Sequence, residues 1–262
     1  MANVGYTLVV GVDAKHLWQL SCVFPTWKKH KPELDFVPMV VFYDHNEVKE
    51  SDIQKVIRRE AHLIPWPPDG VEYEGDPHDK WTNPQRAKML SGFVHVPAMA
   101  VATDYWLKID TDVVATGEPN WVKGRWFDNS PAIVCHRWGF TRPPDQMLYL
   151  DKWVYENRSK VGMLAHKPPL HLVPEEGSDR LRHSRIISWC GFFCTALTKY
   201  ASQAARTVCG DGKLPVPSQD GYLWYVATRM DLRVSTPNMK KLGWEHWSTS
   251  RNVQEHAAEA LK

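Results

Sequence analysis

Apolar runs alternate with helically spaced ones through the first third of the chain. Residues 6–12 form one such run and stop at Asp13, which predicts a strand covered on both faces. Over 15–30, Leu17, Leu20, Val23, Phe24 and Trp27 recur at helical spacing, with Pro25 expected to kink or end the helix. Residues 36–43 predict a second buried strand closed by Asp44, and Pro38 within it points to an early or edge position. A short helix over 51–60 with Ser51 as its cap follows, then a brief strand at 62–65. This β-α-β-α-β rhythm is that of a doubly wound parallel sheet. The stretch 65–84, rich in Pro, Gly, Asp and Trp, reads as a long loop over the carboxyl edge of that sheet. Asn83 as N-cap and Pro84 in the first turn open a helix running towards Met99.

That helix leads to the most informative stretch, residues 105–116, Tyr-Trp-Leu-Lys-Ile-Asp-Thr-Asp-Val-Val-Ala-Thr. Its aromatic and β-branched residues predict a buried strand. Side chains two apart on an extended backbone point the same way, so Asp110 and Asp112 are expected side by side at the strand end. Two carboxylates so placed repel each other and lose hydration unless a cation or base offsets them. A hard divalent ion, Mg²⁺ or Mn²⁺, shared with a substrate's phosphates meets that need. Asp-x-Asp alone is common in solvated loops, and the hydrophobic strand before it is what makes this one informative.

The second half is less regular. Strands are expected at 131–136, 186–194 and 232–235, and helices at 143–162, 199–208, 218–227 and 252–262. Gly191 inside the 186–194 run suggests a bulge or a close ligand approach. Residues 166–183 read as an irregular excursion, and 243–247 as a compact polar-aromatic loop.

Composition narrows the function classes. At 262 residues, 43% of them hydrophobic, the chain can bury a large core without staples. A net charge of +2 gives no argument for a nucleic-acid or membrane partner. No 18-residue apolar run and no basic-then-apolar start are present, so neither a span nor a secretory signal is expected. The five cysteines lack paired zinc spacing and read as buried thiols of a reducing cytoplasm. Trp66, Trp81, Trp121, Trp138, Trp244 and Trp247 sit in polar or Pro/Gly-rich segments. Aromatic faces there can stack on sugar rings or bases, though packing within loops is the plainer explanation for any one of them. Arg86 and Lys88 lie in a first helical turn, where cations oppose the helix dipole, so they face either an anion or solvent.

The order of these features resembles the nucleotide-sugar-dependent glycosyltransferases of the GT-A fold over most of the chain. The matching positions are Asp110-Thr111-Asp112, then Trp189-Cys190-Gly191-Phe192-Phe193, then Ser218-Gln219-Asp220-Gly221-Tyr222-Leu223, then His246. The chain departs from the family's pattern in the bulky Phe-Phe-Cys after Gly191 and in Gly221, where a longer side chain is common. The resemblance implies one α/β domain over 1–262, with a mostly parallel central sheet flanked by helices. Its nucleotide-binding half would span 1–116 and its mixed acceptor and catalytic half 117–262. It implies a divalent-metal-dependent transferase that moves a sugar from a nucleoside-diphosphate sugar to an acceptor. Mn²⁺ or Mg²⁺ would be held by Asp112 and His246, while Asp110 would contact the ribose or sugar or reach the ion through water. Val10, Gly11, Val12 and Asp13 would lie where base and ribose bind, and Arg86 and Lys88 would contact the donor. Gln219 and Asp220 would face the transferring sugar or activate the acceptor. Asp220 would be the base of an inverting enzyme, with Glu245 in reserve, whereas a retaining enzyme needs no single base. The acceptor stays open among a glycan, a lipid-linked sugar, a protein and a modified nucleic-acid base.

Two other readings compete. In a haloacid-dehalogenase-type phosphatase, Asp110 would be the nucleophile and Asp112 the acid/base. That motif normally follows the first strand, whereas here two or three strands precede it and no convincing downstream Lys or Asp-Asp pair follows. A non-catalytic sugar- or nucleotide-binding protein using its Trp-rich loops would leave the two carboxylates unexplained.

Overall fold

The computed structural model describes residues 4–73, 84–117, 121–138, 145–165, 185–216, 218–247 and 250–262. The first half runs β1 (Tyr6–Val12), α1 (Ala14–His30), β2 (Met39–Tyr43), α2 (Glu50–Ile57), β3 (His62–Pro65), α3 (Pro84–Ala100), β4 (Tyr105–Ile109) and β5 (Val113–Ala115). The second half runs β6 (Ile133–Trp138), α4 (Asp145–Glu156), α5 (Arg158–Val161), β7 (Arg185–Cys194), α6 (Thr195–Cys209), α7 (Gln219–Arg229), β8 (Val234–Ser235), β9 (Trp244–His246) and α8 (Ser250–Ala260).

Seven strands form one α/β sheet in the order β3-β2-β1-β4-β7-β6-β8. β3, β2, β1 and β4 are parallel, β7 is antiparallel to both β4 and β6, and β8 is parallel to β6. Both halves of the chain therefore contribute to a single mostly parallel sheet. One face packs Leu8, Val10 and Val12 of β1 against Leu20, Val23, Phe24 and Trp27 of α1 and Val253 and Ala257 of α8. The other packs Val9, Phe42 and Trp106 against α3, α6 and α7. The continuous apolar runs seen in the sequence follow from burial on both sides. Gly11 and Gly92 leave the space that the Phe42 ring fills; a Cβ at either would come within 2.6 Å of it. Among the described residues, no helix is long and apolar enough to cross a membrane.

Several expectations are corrected. α1 runs through Pro25 to His30 without ending there. Leu20, Val23, Phe24 and Trp27 are all buried along it, so tertiary packing outweighs the missing backbone donor. β2 begins only at Met39, because Pro38 cannot donate to a ladder and Pro32–Phe36 form a 3-10 turn. α2 starts at Glu50 after Lys49, so Ser51 lies inside the first turn and does not cap it. Residues 243–247 are not a loop, since Trp244–His246 form a strand. Asn83 and the excursion at 166–183 lie outside the described residues.

Three of the candidate stacking tryptophans are core. Trp66, Trp121 and Trp244 are at most 1% exposed. Trp66 donates its indole N–H to the Lys88 carbonyl at 2.6 Å, and Trp121 stacks on Phe192 and meets Trp244 edge-on. Trp247 is half-buried and lies flat on His256. Trp81 and the Trp138 side chain lie outside the described residues.

His95 of α3 is fully buried, with Nδ1 2.8 Å from Ser202 Oγ and Nε2 donating to the Lys213 carbonyl at 3.1 Å. Burial, opposed by the Lys213 bond and reinforced by nearby Arg206, lowers its pKa from 6.5 to about 4. The folded state thus resists protonation that the unfolded chain accepts between those values, so stability falls as pH drops through that window. The expected loss is about 3 kcal/mol between pH 6.5 and 4. Chemical denaturation across that range should show it, and His95→Gln should remove most of the slope.

Candidate metal and donor site

The four parallel strands of the first half end on one edge of the sheet, and acidic residues follow three of them. Asp13 follows β1, Asp44 follows β2 and Asp110 follows β4. Asp13 caps α1, accepting from the His16 N–H at 2.8 Å, and its carboxylate also meets His16 Nδ1 at 2.7 Å. Burial works against ionisation of Asp13, yet the bonds and charge from His16 hold its carboxyl below the usual range. Asp44 is buried and ion-paired with Lys88 of α3.

Asp110 and Asp112 come together by a route other than the expected one. β4 stops at Ile109, and the chain turns so that the Val113 N–H bonds the Asp110 carbonyl at 3.1 Å. The two carboxylates are thus neighbours across a turn and not along a pleat. The residue that shares the Asp110 face at strand spacing is Lys108. Its Nζ lies 2.6 Å from Asp110 Oδ1, and its side chain is 3% exposed. Thr111 between the carboxylates is buried and donates to Gln19 of α1 at 3.1 Å.

His246 arrives from the far end of the chain. β9 pairs antiparallel with β5, with His246 opposite Val113, and the Trp247 N–H bonds the Asp112 carbonyl at 3.0 Å. Trp27 and Thr26 of α1 fix β5 through bonds to Val113 and Ala115. Gly243 permits the close approach: its φ is +76°, and a Cβ there would lie 1.7 Å from the Thr116 oxygen. Lys31, fully buried, donates to the Leu242 carbonyl at 2.7 Å and the Thr116 carbonyl at 3.2 Å, tying both strands together.

Asp110, Asp112 and His246 each offer a ligand atom, and these lie within 4.8 Å of one another. His246 Nε2 is 3.4 Å from Asp112 Oδ2, and its ring stacks on buried Trp189. Asp112 Oδ1 is buried with no hydrogen-bond partner. A buried, unpaired carboxylate oxygen beside an imidazole is the donor set of a divalent transition ion, so the residues fit Mn²⁺ or a similar cation. Burial would depress the His246 pKa, but the bond and charge of Asp112 raise it. Burial and the Asp112 charge raise Asp110 against the pull of Lys108. Burial would lower Lys108, but Asp110, Asp220 and Asp112 hold it above its usual value.

The remaining sequence candidates surround this cluster unevenly. Gln219 and Asp220 open α7 behind the Ser218 cap, and Gln219 Nε2 donates to Asp220 Oδ1 at 2.7 Å. Asp220 acts electrostatically on both Lys108 and Asp110. Val10 and Val12 are core residues of β1, and Gly11 faces Phe42. Arg86 is exposed on the first turn of α3, and Glu245 is half-buried on β9. Lys108 and Lys31 were not candidates from the sequence. A lysine inside an apolar strand was the available signal for Lys108, whereas nothing local marks Lys31.

No protein-family model and no curated protein matches the sequence. Solved structures match by shape. Core-mannan synthase A (CmsA/Ktr4) from Aspergillus fumigatus, in a Mn/GDP form, is 12% identical, covers 85% of this chain and 70% of its own, and gives a TM-score of 0.51. The mannosyltransferase Ktr4p from S. cerevisiae in complex with GDP is 11% identical over 93% of this chain and 71% of that one, with a TM-score of 0.53. The galactosyltransferase LgtC, in complex with donor and acceptor sugar analogues, is 9% identical over 98% and 96%, with a TM-score of 0.52. This chain has the GT-A fold. At such identities the likeness is one of backbone, so roles within the GT-A fold rest on this chain's own geometry.

Two variants test that geometry. Asp112→Asn should fold normally yet lose Mn²⁺ binding in an electron-paramagnetic-resonance titration, because it removes a charged ligand and almost no volume. Gly243→Ala should lower stability by about 1 kcal/mol or more, read by denaturation, because the backbone there is left-handed and the new methyl meets Thr116.

Proposed function

We propose that the protein is a metal-dependent glycosyltransferase that moves a sugar from a nucleoside-diphosphate sugar to an acceptor. The observation that carries this reading is the meeting of Asp110, Asp112 and His246 at the edge where the parallel strands of a GT-A fold end. That solved structures of the same fold include a Mn/GDP form and a donor-analogue complex supports it further.

Asp112 and His246 would hold the ion, with Asp110 beside them. A divalent cation in that position supplies positive charge to the diphosphate as the glycosidic bond to it breaks. Asp13 and the end of β1 would border the nucleotide, with Arg86 and Lys88 on the same side from α3. Lys88 would reach a phosphate only by sharing or leaving its ion pair with Asp44. Gln219 and Asp220 would face the transferring sugar, and their mutual hydrogen bond orients the carboxylate. Asp220 would accept the acceptor's proton in an inverting reaction, and in a retaining one the pair would instead steady the sugar as positive charge develops on it.

Thermal unfolding against a panel of nucleoside diphosphates and sugar nucleotides, with and without Mn²⁺, tests the reading. One donor at about 100 times its Kd should stabilise by about 2.7 kcal/mol, a shift of a few degrees, and only with the metal. No shift with any nucleotide, together with hydrolysis of a generic phosphomonoester, would replace this proposal with a phosphatase. Asp220→Asn should slow transfer by about 100-fold or more with donor affinity nearly unchanged. A large loss of donor affinity in that variant would assign Asp220 to the nucleotide instead.

A further inference from the structure

Lys108 is a buried cation among acids, and the reading above gives it no role. Its Nζ sits 2.6 Å from Asp110 Oδ1 and 4.9 Å over the Phe93 ring, so the stem is packed and the head is committed to the acidic end of β4. Lys108 lies on β4 and Asp110 directly follows it, its N–H still bonded to the Trp189 carbonyl at 2.8 Å, and that extended spacing holds the pair on one face. Asp112 and Asp220 lie close enough to act on the same charge. The ammonium therefore offsets part of the negative charge that Asp110 and Asp112 would offer an ion.

We propose that Lys108 is a positioning residue that occupies one oxygen of Asp110 and opposes a cation at this cluster, so that the ion needs the donor's phosphates to be held firmly. The inference rests on the metal-site reading. Lys108 and the ion draw on the same carboxylates and repel each other, so the ion alone is held loosely. The oxygens of a donor diphosphate then complete the attraction, and ion and donor bind together.

The test is an electron-paramagnetic-resonance titration of the full chain with Mn²⁺ alone, at a pH above the histidine range. A unit charge and a divalent ion a few ångströms apart repel, even at the dielectric of water, by enough to change affinity about tenfold. Lys108→Met should therefore bind Mn²⁺ about tenfold tighter or more than the natural protein, and Lys108→Arg should return affinity towards it. Should the Met variant not fold, Lys108→Gln keeps a neutral polar end beside Asp110 and is read the same way. Unchanged or weaker Mn²⁺ binding in the neutral variants, with the natural protein binding measurably, overturns the role of Lys108 and leaves the metal site standing. No binding by the natural protein up to millimolar Mn²⁺ overturns the metal site and this inference together.

Discussion

Negative charge gathered where a buried sheet ends is the constraint on which the rest of this structure depends. Carboxylates at such a place lose water and repel one another, and they persist only with compensation. The protein compensates each by a different device. Asp13 takes the His16 N–H in the first turn of α1 and the His16 ring, and Asp44 takes Lys88 from α3. Asp110 takes Lys108 from the strand just before it. Asp112 Oδ1 is buried without a hydrogen bond, and His246 stands beside the other oxygen. An added cation is worth most beside that oxygen.

The small β5–β9 ladder sets that point. It is two strands of three residues, too short to hold itself together, and its stability comes from its surroundings. α1 fixes one strand through Thr26 and Trp27, and Lys31 at the end of the same helix bonds both strands. Gly243 lets the backbones approach. A helix laid down directly after the first strand therefore governs the distance between Asp112 and a histidine 134 positions later. Burying Lys31 for this purpose is tolerable because backbone carbonyls and the Trp244 face meet its charge.

The alternation of strands and helices, the double-sided burial of β1, β2 and β4, and the acidic residues that follow those strands were legible in the sequence. Each is a local pattern of residue types with a period of two or 3.6, and local patterns survive folding when the core agrees with them. The Asp-x-Asp pair stands directly after β4, where a strand was expected to end, but the expected pleat gave way to a turn after Ile109, and Lys108 took the position on the strand face. Three tryptophans that looked free to stack on ligands are packed against other rings, because a polar neighbourhood in sequence says little about the partner a ring finds in space.

What the sequence determined by itself is the α/β class and the buried strand that two carboxylates follow, because both are written in contiguous residues. Tertiary structure alone decided how His246, which the family resemblance named, comes to stand beside Asp112, which lysine opposes them and which helix holds them at that spacing. Those pairings join Asp112 to His246, and Lys31 to Leu242. They depend on the ladder β5 makes with β9 and on the packing of α1 against it, and no short-range pattern encodes contacts between residues so far apart along the chain.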